Sequence, residues 1–247
     1  MNGSQNCCPK PLLQTGAPLQ NILNMKLTLR FFRLFFFIFL LNSISNLAMA
    51  IEEPKYETLK SEKPFEVRKY ASYLIAETSV QADMDRASNQ GFRRIADFIF
   101  GNNQAVGASG PAGSNLPAEP KEKLSAKIAM TAPVVVEPLD AIDKPMLSSD
   151  NWRIFFVMPS EYTEATLPKP NNPDVKIRAV PEKYYAVFNY SGFNGADKIQ
   201  DYSNQLLAWV ERNNLKPMGA PKLARYNPPW TLPMFRRNEI MIEVEQK

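Results

Sequence analysis

The side chains that most often carry catalysis or hold metals are nearly missing from this sequence. There is no histidine, and the two cysteines, Cys7 and Cys8, adjoin each other near the N-terminus. Ser–His and Cys–His nucleophilic pairs, most zinc sites and an internal disulfide framework are therefore excluded. No phosphate loop, dinucleotide glycine fingerprint or serine elbow occurs. Acid–base work by two carboxylates needs no fixed spacing, so Glu77, Glu137, Glu161, Glu164 and Glu239 stay open, and nothing selects among them. No catalytic or metal-ligand set is assigned. For an iron-bearing cofactor the remaining donors are Tyr, Met and Lys, and Tyr and Met are known axial ligands. Tyr70, Tyr73, Tyr184, Tyr185, Tyr202 and Tyr226 all fall in segments that read as regular structure, where the ordinary role is a packed ring with its hydroxyl at the rim.

The chain has 247 residues, of which 22% are charged and 45% hydrophobic, an ordinary globular balance. Residues 1–50 hold Lys10, Lys26, Arg30 and Arg33 and no acid, so the net charge of +4 belongs to that stretch. The neutral remainder argues against a general nucleic-acid surface. From Met25, a basic stretch precedes the apolar run Leu34–Leu41, and Ala48-Met49-Ala50 follows as a small-x-small site. That is the build of a secretory signal peptide, and the run is too short to span a bilayer. The expected organisation is an extension over 1–24, a signal peptide over 25–50 and one domain over 51–247. The protein is expected to be exported, to the periplasm or the cell exterior, with no stable membrane span after cleavage.

Phe65–Tyr70 alternates, and Tyr73–Val80 is rich in β-branched and aromatic residues; together they read as one bent strand. Asp83 to Phe100 has helical apolar spacing at Ala87, Phe92, Ile95, Ala96 and Ile99, with Asp83 or Asp85 as cap and Gly101 as stop. Gly101–Glu122 reads as a loop. Lys127–Val136 and Trp152–Met158 read as strands. The order then recurs. Ile177-Arg178 answers Val67-Arg68, a helix over Asp201–Arg212 answers the first, Lys222-Leu-Ala answers Lys127-Ile-Ala, and Asn238–Val244 answers Trp152–Val157. Neither half covers its own sheet. The expected fold is α+β, a duplicated strand-helix-strand-strand unit (about 56–158 and 175–245). It should form a distorted β-barrel flanked by two helices, with a cleft where helices meet sheet.

Three segments carry a family resemblance: Lys127-Ile-Ala-Met-Thr-Ala-Pro-Val134, Trp152-Arg-Ile-Phe-Phe-Val-Met-Pro159, and Arg225-Tyr-Asn-Pro-Pro-Trp230 followed by Phe235-Arg-Arg-Asn-Glu239. In this order, over about Tyr56 to Glu245, they resemble the SOUL/heme-binding protein family. The resemblance implies a duplicated α+β barrel with two helices and an apolar groove by the first helix that takes heme or a related tetrapyrrole. An exported member would then bind the ligand reversibly, for buffering or transfer. With no histidine here, any heme is not His-ligated. Carried onto this chain, the cofactor-binding candidates are Phe92, Arg93, Arg94, Ile95, Ala96 and Ile99 on the first helix, with Met130 and Tyr226. Arg93 and Arg94 would face propionates. Apolar residues on such a helix equally suit plain core, and Met130–Pro133 suits a fixed bend into the sheet. Arg236-Arg237-Asn-Glu239 suits an Arg–Glu pair closing the barrel. The chain departs from the family pattern at Asn89 and Asp97, where basic residues are usual, and at Phe92 and Ala96, where methionines are usual. The Gly101–Glu122 loop is also longer than the usual connection. The alternative is a small-molecule hydrolase or ligand-binding protein of the related gyrase-inhibitor-like fold.

Overall fold

The structure is a computed structural model that describes residues 51–106, 125–140 and 145–245. The expected extension (1–24), the expected signal peptide (25–50) and most of the Gly101–Glu122 loop lie outside the described residues. Ile51–Lys247 is a compact unit with its own core.

Strands β1 (Tyr56–Glu62), β2 (Phe65–Tyr70), β3 (Tyr73–Gln81), β4 (Asn103–Gln104), β5 (Val134–Pro138) and β6 (Asn151–Val157) come from the first half. The second half contributes β7 (Lys169–Pro170), β8 (Lys176–Val180), β9 (Lys183–Tyr190), β10 (Lys222–Arg225) and β11 (Asn238–Val244). Helices α1 (Met84–Ile99) and α2 (Ala196–Arg212) interrupt each half. Nine strands form one curled antiparallel sheet in the order β1-β2-β9-β11-β10-β5-β6-β3-β8. From β2 to β8 this order reads the same from either end once each strand is exchanged for its repeat partner: β2 for β8, β9 for β3, β11 for β6 and β10 for β5. The duplication read in the sequence is thus a pseudo-two-fold axis between β5 and β10.

Several boundaries differ from expectation. Phe65–Val80 is not one bent strand. Ala71 and Ser72 separate β2 from β3, and the two go to opposite halves of the sheet, β2 against β9 and β3 between β6 and β8. Each half therefore lends its first strand to the other, which closes the two half-sheets into one. Of Lys127–Val136, only the part from Val134 pairs as a strand. Helix α2 begins at Ala196, ahead of the expected Asp201, because Ile199 also packs into the core. Strand β1 had no sequence signal, since every residue in it is exposed.

Alternation along the strands sorts side chains to two faces. Val136, Ile154, Phe156, Ala186, Phe188, Ile240 and Ile242 face the helices, whose Ile95, Phe98, Ile99, Leu206 and Trp209 complete that core. Val135, Phe155, Val157, Tyr185, Val187 and Met241 face the opposite, concave side. Helix α1 starts where Asp83 Oδ1 accepts the Arg86 N–H at 3.0 Å. It lies directly on β6: a Cβ at Gly91 would sit 2.6 Å from Ile154 Cβ. That close approach fills the space between helix and sheet. The walls of three cavities contain no helical residue, so none of the three is the expected cleft between helices and sheet.

Candidate functional site

The concave face has a charged and aromatic lining placed by the strand alternation. Glu239, on β11, is fully buried and gathers three donors. Arg68 Nη1 donates to it at 3.0 and 3.1 Å, the Tyr226 hydroxyl at 2.7 Å and Arg237 Nε at 2.9 Å. Arg68 also donates to Glu66 at 2.6 Å, and Arg237 reaches Glu53 at 2.9 Å. Burial works against the charge of Arg68, but Glu239, Tyr70 and Glu66 together outweigh it and hold the guanidinium above its usual range. The pair expected to close the barrel within Arg236–Glu239 is thus present, with Arg68 as a further partner.

The pseudo-two-fold places a second network opposite. Arg178 Nη2 donates to Glu77 at 2.9 Å, Arg153 pairs with Glu137, and Lys222 Nζ lies 3.0 Å from Glu137 Oε2. Burial pulls the Lys222 ammonium down to about 8. Tyr70, Tyr73, Tyr185 and Tyr226 line the space between the networks, and burial pushes each phenol well above its ordinary value. Glu77, Glu137 and Glu239 are thereby committed to ion pairs, whereas Glu161 and Glu164 are exposed.

These side chains leave little room. The void bounded by Tyr70, Tyr73, Phe155, Tyr185, Lys222 and Tyr226 has about 20 Å³, space for about one water molecule. Residues 52–55 close its mouth. The Ala132 N–H donates to Glu52 O at 2.9 Å, the Ala71 N–H donates to Lys55 O at 3.2 Å, and Pro54 forms part of the wall. A larger cavity of about 290 Å³ lies beyond, among Glu52, Tyr73, Thr131, Met158 and Tyr162. A shallow bay of about 640 Å³ lies by Tyr56, Lys63, Glu66 and Arg237.

The residues singled out in the sequence do not share one surface. Ile95 and Ile99 are fully buried in the core against the sheet, and Ala96 is nearly so. Met130 is half-buried against the same core. Tyr226 is on the concave face with its hydroxyl given to Glu239, so it neither meets α1 nor offers a free oxygen. Arg94 is used structurally: it donates to Thr78 Oγ1 at 3.3 Å and Ser79 O at 3.2 Å and pairs with Asp174 at 3.5 Å, tying α1 to β3. Two of the set remain at the surface. Phe92 is 40% exposed with its ring against Phe156, and Arg93 makes no hydrogen bond or ion pair among the described residues. Phe100, two turns beyond Phe92, extends this apolar flank at 60% exposure. Phe100 was missed in the sequence because periodicity alone does not separate outer from inner apolar positions on a helix end.

Such a flank can hold a flat apolar ligand and offer Arg93 to its carboxylates. The chain lacks histidine, and the phenols of Tyr70, Tyr185 and Tyr226 are buried on the concave face. Among the described residues no three Asp, Glu, Cys or His side chains come together in a metal-binding group. No described helix is long and apolar enough to cross a membrane.

Among solved structures, the chain is similar to the EcmrR C-terminal domain, with a TM-score of 0.51 and 10% identity over 78% of this chain and 99% of that one. It is also similar to a hydrolase from Listeria innocua, with a TM-score of 0.45 and 10% identity over 83% of this chain and 98% of that one. At such identity the likeness to the first is one of fold alone. No curated protein matches the chain in sequence. The family model described as SOUL heme-binding protein matches residues 51–243, nearly the whole described unit. The chain belongs to the SOUL heme-binding protein family.

Proposed function

We propose that the protein binds heme or a related tetrapyrrole reversibly on the outer flank of α1, as an exported carrier or buffer that is not a catalyst. Family membership carries this reading. The exposed Phe92 and Phe100 beside Arg93 support the position: two aromatic faces for the macrocycle and a guanidinium for a propionate. The packed concave interior is too small for such a ligand. Heme held this way would supply its own iron chemistry, while the chain contributes apolar contact and charge without an axial ligand. Binding without an axial ligand favours release to a partner. Export rests on the signal-peptide pattern of residues 25–50.

The test is a hemin titration of Ile51–Lys247, carrying no histidine tag and followed by its Soret band, with a histidine-free control protein. Saturable one-to-one binding is expected, weakened about tenfold or more in the Phe92→Ser, Phe100→Ser double variant, since each ring loses its buried contact area. A linear response equal to the control would overturn the reading. Saturable binding unchanged in the double variant would overturn the position.

A further inference from the structure

The four most exposed large apolar side chains of the described residues, Trp230, Phe235, Phe193 and Met234, lie on two neighbouring loops. Between β10 and β11, Trp230 is 82% exposed, Phe235 is 71% exposed, and Leu232 and Met234 are nearly as open. Phe193, on the loop between β9 and α2, is also exposed and lies under the Arg236 guanidinium at 5.4 Å. Water normally drives such side chains inward, so a cluster held outward marks a contact surface.

The loop is built to hold them there. The Thr231 N–H donates to Pro228 O at 3.0 Å and the Phe235 N–H to Leu232 O at 2.9 Å, which makes two successive turns. Arg236 Nε donates to Thr231 O at 2.7 Å and Nη2 donates to Pro229 O at 2.5 Å, which clamps the first turn. Pro228, Pro229 and Pro233 fix the backbone further. Arg225, at the foot of the loop, bonds Ser88 on α1 and so anchors it to the helix. A side chain set out on a rigid, internally bonded loop loses little entropy when it enters an apolar phase.

We infer that this loop pair is a membrane-docking tip whose Trp230, Leu232, Met234 and Phe235 enter the interfacial layer of an anionic lipid surface. Two observations favour lipid over a protein partner. Trp, Phe, Leu and Met are the residues that settle at the headgroup–acyl boundary. No acid occurs from Lys222 to Arg237 or from Phe188 to Gly195; Arg237 is paired with Glu53 and Glu239, so Arg236 is the cation that the two loops offer to an anionic surface. The inference does not depend on tetrapyrrole binding.

The test uses Ile51–Lys247, because the apolar Leu34–Leu41 run of the full chain would itself seek lipid. Trp152 and Trp209 are buried, so a change in tryptophan emission on adding vesicles reports Trp230. Vesicles of phosphatidylcholine with phosphatidylglycerol should blue-shift the emission and sediment the protein, and pure phosphatidylcholine should do so less. Trp230→Phe should sediment but lose the shift. Trp230→Ala with Phe235→Ala should bind about tenfold or more weakly, with an unchanged thermal melt because both positions are exposed. No shift and no sedimentation by the folded protein would overturn the inference. So would a shift that appears without vesicles and grows with protein concentration, which would assign the tip to a second copy of the chain.

Discussion

Glu239→Gln is the sharpest perturbation of the fold. The carboxylate has no solvent exposure and accepts from Arg68, Tyr226 and Arg237. Glutamine keeps the volume but removes the charge and turns one end of the group into a donor facing donors. Arg68, only 2% exposed, is left with Glu66 and Asn189 in place of its main counter-charge. Breaking one side of a buried pair costs about 3–5 kcal/mol. At this size each kcal/mol moves the midpoint by about 2–4 °C, so thermal unfolding should begin about 6–20 °C lower. Calorimetry together with urea unfolding at unchanged slope would measure it. The variant Glu239→Leu with Arg68→Met should be more stable than Glu239→Gln, because no buried charge is left alone; Glu66 and Arg237 keep contact with water. A loss below about 1 kcal/mol for Glu239→Gln would refute the argument that this network is desolvated.

Two other perturbations follow the same reasoning. Gly91→Ala improves helix propensity by about 1 kcal/mol but drives a Cβ to 2.6 Å from Ile154, an overpacking cost of about 1–3 kcal/mol, so a net loss of up to about 2 kcal/mol is expected in urea; a stabilised variant would show that α1 is free to lift off β6. Stability should pass through a maximum in alkali. Lys222 releases its proton at about 8 when folded but near 10.5 when unfolded, so its cost is fully present below about 8 and is relieved as pH rises between those values. The phenols of Tyr70, Tyr73, Tyr185 and Tyr226 run the opposite way, being raised by burial, and their contribution is lost as pH climbs above about 10. Urea midpoints against pH should show the rising limb in the parent and not in Lys222→Met, while the fall in high alkali persists in both; an identical rise in Lys222→Met would remove Lys222 from the account.

Local pattern was enough for much of the architecture. Alternation in Trp152–Val157 and Asn238–Val244, helical spacing after Asp83, and the echo of Val67-Arg68 in Ile177-Arg178 are one-dimensional signals, because a strand or helix exposes its period wherever it is packed. The duplication and the two helices follow from them. So does the family, since the motifs from Lys127, Trp152 and Arg225 are contiguous in sequence.

What tertiary structure alone decided is which partner each element meets. Nothing in Phe65–Val80 says that β2 and β3 part at Ala71-Ser72 and join opposite halves, because strand pairing is long-range and the alternation runs on across the break. Helical spacing marked Phe92, Ile95, Ala96 and Ile99 alike, yet packing against β6 buries Ile95 and Ile99 and leaves Phe92 and Phe100 outside. The Arg68–Glu239 pair joins residues 171 positions apart. Tyr226 went to the concave face because β10 and β11 present successive residues to opposite sides of the sheet. Burial and charge pairing depend on the surfaces that surround a residue. Those surfaces exist only once the two halves have exchanged their first strands.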